Sequence, residues 1–235
     1  VEAFYSARAY KPLWVANGAA ADAAKSAIAY LAKADAVGLE PSDYPTPDFN
    51  SAVTADALAE AELKLTEYTQ PAILTVSIAA LRVLEKESGL RPVWVAGHSL
   101  GEYSALVCAG ALSFRDAVKV VRERGRLMQE AVPQGQGLMA VILGLEAREV
   151  RWVCEKAGGG EAVAPANFNG GGQVVIAGAR SAVRRAMALA QERGARRVLD
   201  LPVSAPFHCS LMLSAAEGLR RVLAEVAVRP VSIGV

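Results

Sequence analysis

The sequence predicts an α/β fold, and three observations carry that prediction. An apolar run at 93–96 ends on Gly97, Ser99 follows, and Gly101 opens a helical pattern to 109. That places a G-x-S-x-G motif between a buried strand and a helix, the setting in which a serine is lifted out of the chain at a sharp turn. Residues 137–202 give strand and helix signals in the order βαββαβ, which is the order of a ferredoxin-like sheet. The texture of the chain also changes near Glu67: alanine and aspartate dominate before it, and long apolar patterns follow.

Composition narrows the functional classes. A chain of 235 residues with 53% hydrophobic side chains has enough apolar surface for one sizeable core, or a core plus a small subdomain. Its net charge is +1, no stretch has the length and polarity of a membrane span, and the N-terminus lacks a secretory layout. The first residue is valine, which fits a fragment of a longer product. Cys108, Cys154 and Cys209 are odd in number and carry no C-x-x-C spacing, so neither a disulfide framework nor a zinc site is expected. A cytoplasmic protein with no cofactor, no metal and no membrane partner is the expectation. Residues 151–235 carry a basic excess of about five, with Arg180, Arg184, Arg185, Arg193, Arg196, Arg197, Arg220 and Arg221 among them. This is either a solvated helix face or a docking surface for an acidic partner. No aromatic residues interleave with these arginines, which argues against nucleic acid.

Taken in order, residues 1–60 read as a helical or irregular segment, with a helical run at 20–34 and a turn-rich stretch at 40–47. A weakly amphipathic helix follows at 55–65. Pro71 belongs in the first turn of an apolar helix running to Lys86, and Gly89 stands where a left-handed cap belongs. A buried strand at 92–96 leads into the serine turn and its helix. Ser113 and Asp116 give a capping-box-like start to a helix that runs to about Ala131 and stops before Pro133. Within 137–202, strands are expected at 138–143, 162–167, 173–177 and 197–201. A helix at 146–157 and a second, capped by Ser181 and running to Arg193, separate them. The glycines after Asn169 read as a hairpin turn and not a phosphate loop, because no helix starts directly after them. The remaining stretch, 203–235, returns to the main core with a helix at 215–226 and the approach to another strand.

Ser99 is the expected nucleophile, and the amide of the next residue, Leu100, the expected oxyanion donor. A second donor is not evident. A serine alcohol needs a base near neutrality, and the chain has two histidines. His98 adjoins Ser99, and neighbours across a tight turn point apart, so His98 is read as a packing or orienting residue and His208 as the base. Asp200 or a backbone carbonyl is left as the group that orients the imidazole. On the helix 114–131, Arg124 falls on the apolar stripe of Ala117, Val120, Val121, Leu127, Met128 and Ala131, while Arg122, Glu123, Arg126 and Glu130 take the wet face. An inward guanidinium keeps its proton and needs an anion. That anion is either a protein carboxylate, Glu102 or Glu130, or the carboxylate of a substrate.

The segments GHSLGEYSAL (97–106), RGRLMQEAVP (124–133), NFNGGGQVVIAG (167–178) and LPVSAPFHCSLM (201–212) closely resemble malonyl-CoA:acyl-carrier-protein transacylases of fatty-acid synthesis. The resemblance starts near 62–67 and runs to Val235. It implies an α/β-hydrolase-like acyltransferase core at 61–136 and 203–235 with an inserted ferredoxin-like subdomain at 137–202. It implies a Ser99–His208 dyad and ping-pong transfer from malonyl-CoA, a substrate and not a cofactor, to an acidic acyl carrier protein. Arg124 matches the arginine that holds the malonyl carboxylate, and His98, Met128 and Phe207 join it in the implied substrate-binding set. Phe207 beside His208 resembles malonyl-selective relatives. The family's opening strand and PGQGSQ loop, whose glutamine amide completes the oxyanion hole, have no counterpart in 1–66, and its last strand and histidine-orienting carbonyl are not found. Residues 1–66 instead resemble the scaffold region of L,D-transpeptidases in FYSARAYKPLW, VGLEPSDYPTPDF and ALAEAELKLT, without the catalytic cysteine motif. The expectation is a recognisable site of lowered activity, since one lost oxyanion donor costs about a hundred- to a thousandfold in rate. The alternatives are a serine esterase or thioesterase, a polyketide-synthase acyltransferase domain, and an inactive fragment.

Overall fold

The computed structural model describes Leu63 and residues 65–89, 91–203 and 205–235. The expected helices at 20–34 and 55–65, the turns at 40–47 and the transpeptidase-like stretch fall outside the described residues, save Leu63 and residues 65–66. Leu65 stands as the N-cap of the first described helix, α1 (Thr66–Ser88). A stripe at every fourth residue, Thr66, Gln70, Leu74 and Ile78, is buried and sets the inward face of α1. The helix starts earlier than expected, so Pro71 lies inside it and not in its first turn. The Leu65 carbonyl accepts from the Tyr68 and Thr69 amides, and this extends the helix back to the buried Thr66. Gly89 ends α1 at φ 68°, donating its amide to the Glu85 carbonyl, as a left-handed cap should.

Helix α2 (Gly101–Cys108) and helix α3 (Phe114–Glu130) complete a helical layer with α1. Ser113 caps α3 by accepting the Asp116 amide. Leu74, Ile78, Val107, Leu112, Ala117 and Val121 from the three helices and the turn between α2 and α3 form one apolar cluster. Helices α1 and α3 touch at Gly125, where an added Cβ would fall 2.5 Å from the Glu67 Cα and the Thr66 carbonyl oxygen.

The strand expected at 92–96 is the main correction. Among the described residues it forms one parallel bridge, Trp94 with Gly234, in place of a ladder. Val93 and Trp94 are 73% and 76% exposed, so the run is not buried. Its backbone pairing among the described residues is with Gly234, whose carbonyl accepts the Val95 amide and whose amide donates to the Val93 carbonyl. The approach to another strand expected at the end of 203–235 amounts, among the described residues, to this one bridge at Gly234.

The other strands form one antiparallel sheet: β1 (Gly137–Leu143), β2 (Val163–Phe168), β3 (Gln173–Ala179) and β4 (Arg197–Asp200), in the order β2-β3-β1-β4. Helix α4 (Ala147–Gly158) lies between β1 and β2, and α5 (Arg180–Glu192) between β3 and β4. Period-two alternation divides the sheet's two faces. Leu138, Ala140, Ile142, Val174 and Ile176 pack against Val150, Val153 and Cys154 of α4 and Val183 and Ala186 of α5. On the opposite face, Met139, Val141, Val175 and Ala177 pack against Leu201, Phe207 and Cys209, the loop that carries His208. The turn at 169–172 closes β2 onto β3, with the Asn169 amide donating to the Gln173 carbonyl. Ser181 does not cap α5: Ala179 holds the N-cap position, and the Ser181 hydroxyl donates to Glu161. A 3-10 turn (Ser210–Met212) and helix α6 (Leu213–Ala224) follow His208 and lean on α3 through Met128, Val132, Met212 and Ala215.

Candidate active site

The serine turn is built by close approach. A Cβ at Gly97 would fall 1.9 Å from the Gly101 carbonyl carbon, so only glycine lets the chain fold back over the start of α2. Ser99 is pushed to φ 55°, the left-handed region that a serine rarely occupies. His208 is held at φ 59°. These are the two non-glycine residues of positive φ among those described, and their side chains meet: Ser99 Oγ lies 2.9 Å from His208 Nε2. Strain of this kind persists where surrounding contacts over-determine the backbone, and it gathers at reacting centres. The Leu100 amide, at the N-cap of α2, makes no hydrogen bond among the described residues and stands where the helix dipole is positive.

Arg124 joins this pair from α3. Its Nη2 donates to Ser99 Oγ at 2.9 Å, and its Nη1 donates to Gln70 Oε1 at 2.6 Å. The two protein carboxylates considered from the sequence do not neutralise it. Glu130 instead pairs with Arg126, and Glu102 makes no ion pair among the described residues. The charge is half-buried, partly covered by the Tyr103 ring at 5.7 Å, and held by neutral oxygens. Burial lowers the Arg124 pKa, opposed by Tyr103 and Glu102, and raises that of Tyr103. Burial also lowers the His208 pKa, with the Arg124 and then the His98 charge adding to it and Glu102 opposing. These effects favour the neutral imidazole, whose Nε2 stands at hydrogen-bond distance from the Ser99 hydroxyl.

Gln70 escaped the sequence reading. It is 5% exposed, donates through Nε2 to Thr66 Oγ1 and Met128 Sδ, and fixes the far side of the guanidinium. Its signal was the one that exposed Arg124: a polar residue on an otherwise apolar helix stripe, here at the spacing of Leu74 and Ile78. Asn167 was also missed as a site residue. Its Nδ2 lies 3.0 Å from Nε2 of His98, the residue before Ser99.

The remaining expected residues fall in different places. His98 is exposed, with its ring centroid 6.5 Å from that of His208. Met128 is buried in the α3–α6 cluster and reaches the site through Gln70. Phe207 packs against both that cluster and the inner face of the sheet. Asp200 does not orient His208, because both of its oxygens are taken by Arg184. The basic surplus is partly consumed within the fold: Arg185 binds Glu161 and two carbonyls, and Arg180 binds the Gly135 carbonyl. Among the described residues, no cluster of histidine, cysteine or acidic side chains is placed to hold a metal, and no helix is long and apolar enough to cross a membrane. Cys108, Cys154 and Cys209 are free thiols, and burial pushes Cys154 up to about 12.

The chain is similar to known proteins. The sequence profile of the acyl transferase domain matches residues 32–234. That match starts well before the expected onset near 62–67 and overlaps the transpeptidase-like stretch. The malonyl CoA-acyl carrier protein transacylase of Escherichia coli K12 is 53% identical over 175 residues, covering 74% of this chain and 56% of that one. A solved acyl carrier protein S-malonyltransferase from Vibrio cholerae superposes with a TM-score of 0.71 at 51% identity, over 74% of this chain and 56% of the other. A malonyl-transacylase solved in complex with its type II polyketide-synthase acyl-carrier protein gives 0.72 at 48% identity, with the same coverage. The chain spans about half the length of the curated relatives it matches.

Proposed function

We propose, from the premise that this chain belongs to the acyl transferase domain family, that it transfers a malonyl group from malonyl-CoA to the phosphopantetheine thiol of an acyl carrier protein. The observation that carries the reading is Arg124. It is a half-buried guanidinium donating to the nucleophile's own oxygen, and it pairs with no protein carboxylate among the described residues. An acyl group ending in a carboxylate fills that need, and a planar fork fixes its orientation as well as its charge.

In the first half-reaction, His208 Nε2 takes the proton of Ser99 as Oγ attacks the thioester carbonyl carbon. The Leu100 amide receives the developing oxyanion. Collapse breaks the carbon–sulfur bond, the coenzyme A thiolate takes the proton back from His208, and malonyl remains as an ester on Ser99. In the second half, the carrier thiol gives its proton to His208 and attacks the ester carbonyl. The proton returns to Ser99 as the new thioester leaves. Gln70 holds Arg124 throughout, and Phe207 and Met128 support His208 and Gln70 from behind.

The finer architecture follows the same premise. Strand order β2-β3-β1-β4 with two crossing helices supports a ferredoxin-like subdomain at 137–202, and the serine turn with its helix supports an α/β-hydrolase-like core around it. Three free thiols fit a reducing cytoplasm. Basic residues that make no ion pair among the described residues, Arg220 and Arg221 among them, suit an acidic carrier.

Mass spectrometry of the chain after incubation with malonyl-CoA tests the reading. A malonyl adduct on Ser99 that disappears in Ser99→Ala supports it. Rapid release of free malonate with no transfer to carrier would favour a hydrolase instead.

A further inference from the structure

Gln70 holds Arg124, and Gln70 must itself be held, because a glutamine side chain gives up much rotamer freedom when it is ordered. Its Oε1 accepts from Arg124 Nη1 at 2.6 Å, so its Nε2 faces away with two protons to place. One goes to Thr66 Oγ1 at 3.0 Å, a turn back on the same helix, and the other to Met128 Sδ at 3.5 Å. A thioether sulfur accepts weakly, so the hydroxyl oxygen is the stronger tie. Gln70 is 5% exposed and Thr66 7%, which leaves little room for water to replace that oxygen. Thr66 is in turn seated on α3. The Cβ that Gly125 lacks would fall 2.5 Å from the Thr66 carbonyl oxygen and 2.8 Å from the Glu67 amide nitrogen. Gly125 follows Arg124 in α3, so the crossing that seats Thr66 also brings the guanidinium to Gln70. A line of hydrogen bonds thus runs from the first turn of α1 through Gln70 and Arg124 to Ser99 and His208.

We propose that Thr66 is a positioning residue for selection of the acyl group: its hydroxyl oxygen fixes the Gln70 carboxamide, which sets the angle of the Arg124 fork. This rests on the malonyl-transfer reading above. Thr66 makes no hydrogen bond to Ser99, His208 or Arg124 among the described residues, and it acts through Gln70. An acyl group that ends in a carboxylate needs the fork at one angle and feels the loss of this tie. An acyl group with no charge does not use the fork and is nearly indifferent to it.

Thr66→Val keeps the branched shape and removes the acceptor. In the full chain it is expected to raise KM for malonyl-CoA in Ser99 acylation about three- to tenfold, with a smaller change in kcat and acetyl-CoA acylation nearly unchanged. Thr66→Ser restores the oxygen and is expected to match the wild type. Added to Gln70→Leu, Thr66→Val is expected to cause no further loss, because both act through one link. If the valine variant fails to fold, Thr66→Ala removes the same oxygen with less bulk. Equal losses with both thioesters, no loss with either, an equal loss in Thr66→Ser, or full additivity with Gln70→Leu would overturn the proposal. Nitrogen NMR of the arginine side chains reads the link without turnover. Separate Arg124 Nη signals are expected in the wild type and in Thr66→Ser, where both groups are held, and a merged signal in Thr66→Val. Separate signals in Thr66→Val would contradict the proposal. If the wild-type chain takes malonyl and acetyl equally while the signals merge as expected, the malonyl reading fails and the link from Thr66 to Arg124 stands.

Discussion

Arg124 carries more of the account than any other residue, and its worth can be put in numbers. Hydrogen bonds to charged groups contribute roughly 1.5–3 kcal/mol, so Arg124→Ala should cut malonyl acylation about ten- to a hundredfold while acetyl acylation falls far less. Gln70→Leu keeps the charge but frees the side of the guanidinium held at 2.6 Å. It is expected to raise KM for malonyl-CoA several-fold with a smaller change in kcat. His208 adds a pH prediction. Its pKa is lowered first by burial and then by Arg124 and His98, so the acid limb of kcat/KM should lie below the ordinary imidazole value of about 6.5. Removing the Arg124 charge should move the limb upward, still short of that value because burial remains. Because the folded-state value is the lower one, this contribution to stability is complete above about 6.5 and is lost as pH falls toward the folded value. Arg124 was legible in the sequence because a charge interrupted an apolar stripe. Gln70 broke its stripe in the same way but, being neutral, stood out less. Its partner at residue 124 is set by helix crossing, which no local pattern encodes.

At the scale of elements, the serine turn and the α1–α3 crossing each depend on one glycine. Gly97→Ala would drive a Cβ to 1.9 Å from backbone that cannot yield, and Gly125→Ala to 2.5 Å from the backbone of α1. Each should cost about 1–3 kcal/mol or more in denaturant unfolding, and Gly125→Ala should also raise KM by shifting Gln70. Gly101 has nothing within 4 Å, so Gly101→Ala should leave stability unchanged or slightly higher. The motif thus joins two glycines of unlike physical weight, a distinction that sequence spacing does not make. The elements of 137–202 were legible to within two residues because strand alternation and the turn glycines agree. The run 92–96 was read as a buried strand from its apolar content alone. Burial depends on what lies alongside, and only Gly234 pairs with it among the described residues.

At the scale of the whole molecule, Phe207 is a side chain shared between the α3–α6 cluster and the sheet. It holds the loop that sets His208 at φ 59°. Phe207→Ala is expected to lower stability by about 2–4 kcal/mol and to slow Ser99 acylation out of proportion to substrate binding, read as a fall in kcat with KM nearly unchanged. This long-range convergence was only partly legible: scarcity of histidine singled out His208, but the packing that brings it 2.9 Å from Ser99 is tertiary. The most direct test of the central claim is a competition in which equal concentrations of malonyl-CoA and acetyl-CoA acylate Ser99, read by mass spectrometry in the wild-type chain and in Arg124→Ala. Malonyl should dominate the wild-type adduct by tenfold or more, and the variant should lose that preference. Equal wild-type labelling, or a preference that survives the loss of Arg124, would contradict a guanidinium that selects the acyl group by its carboxylate.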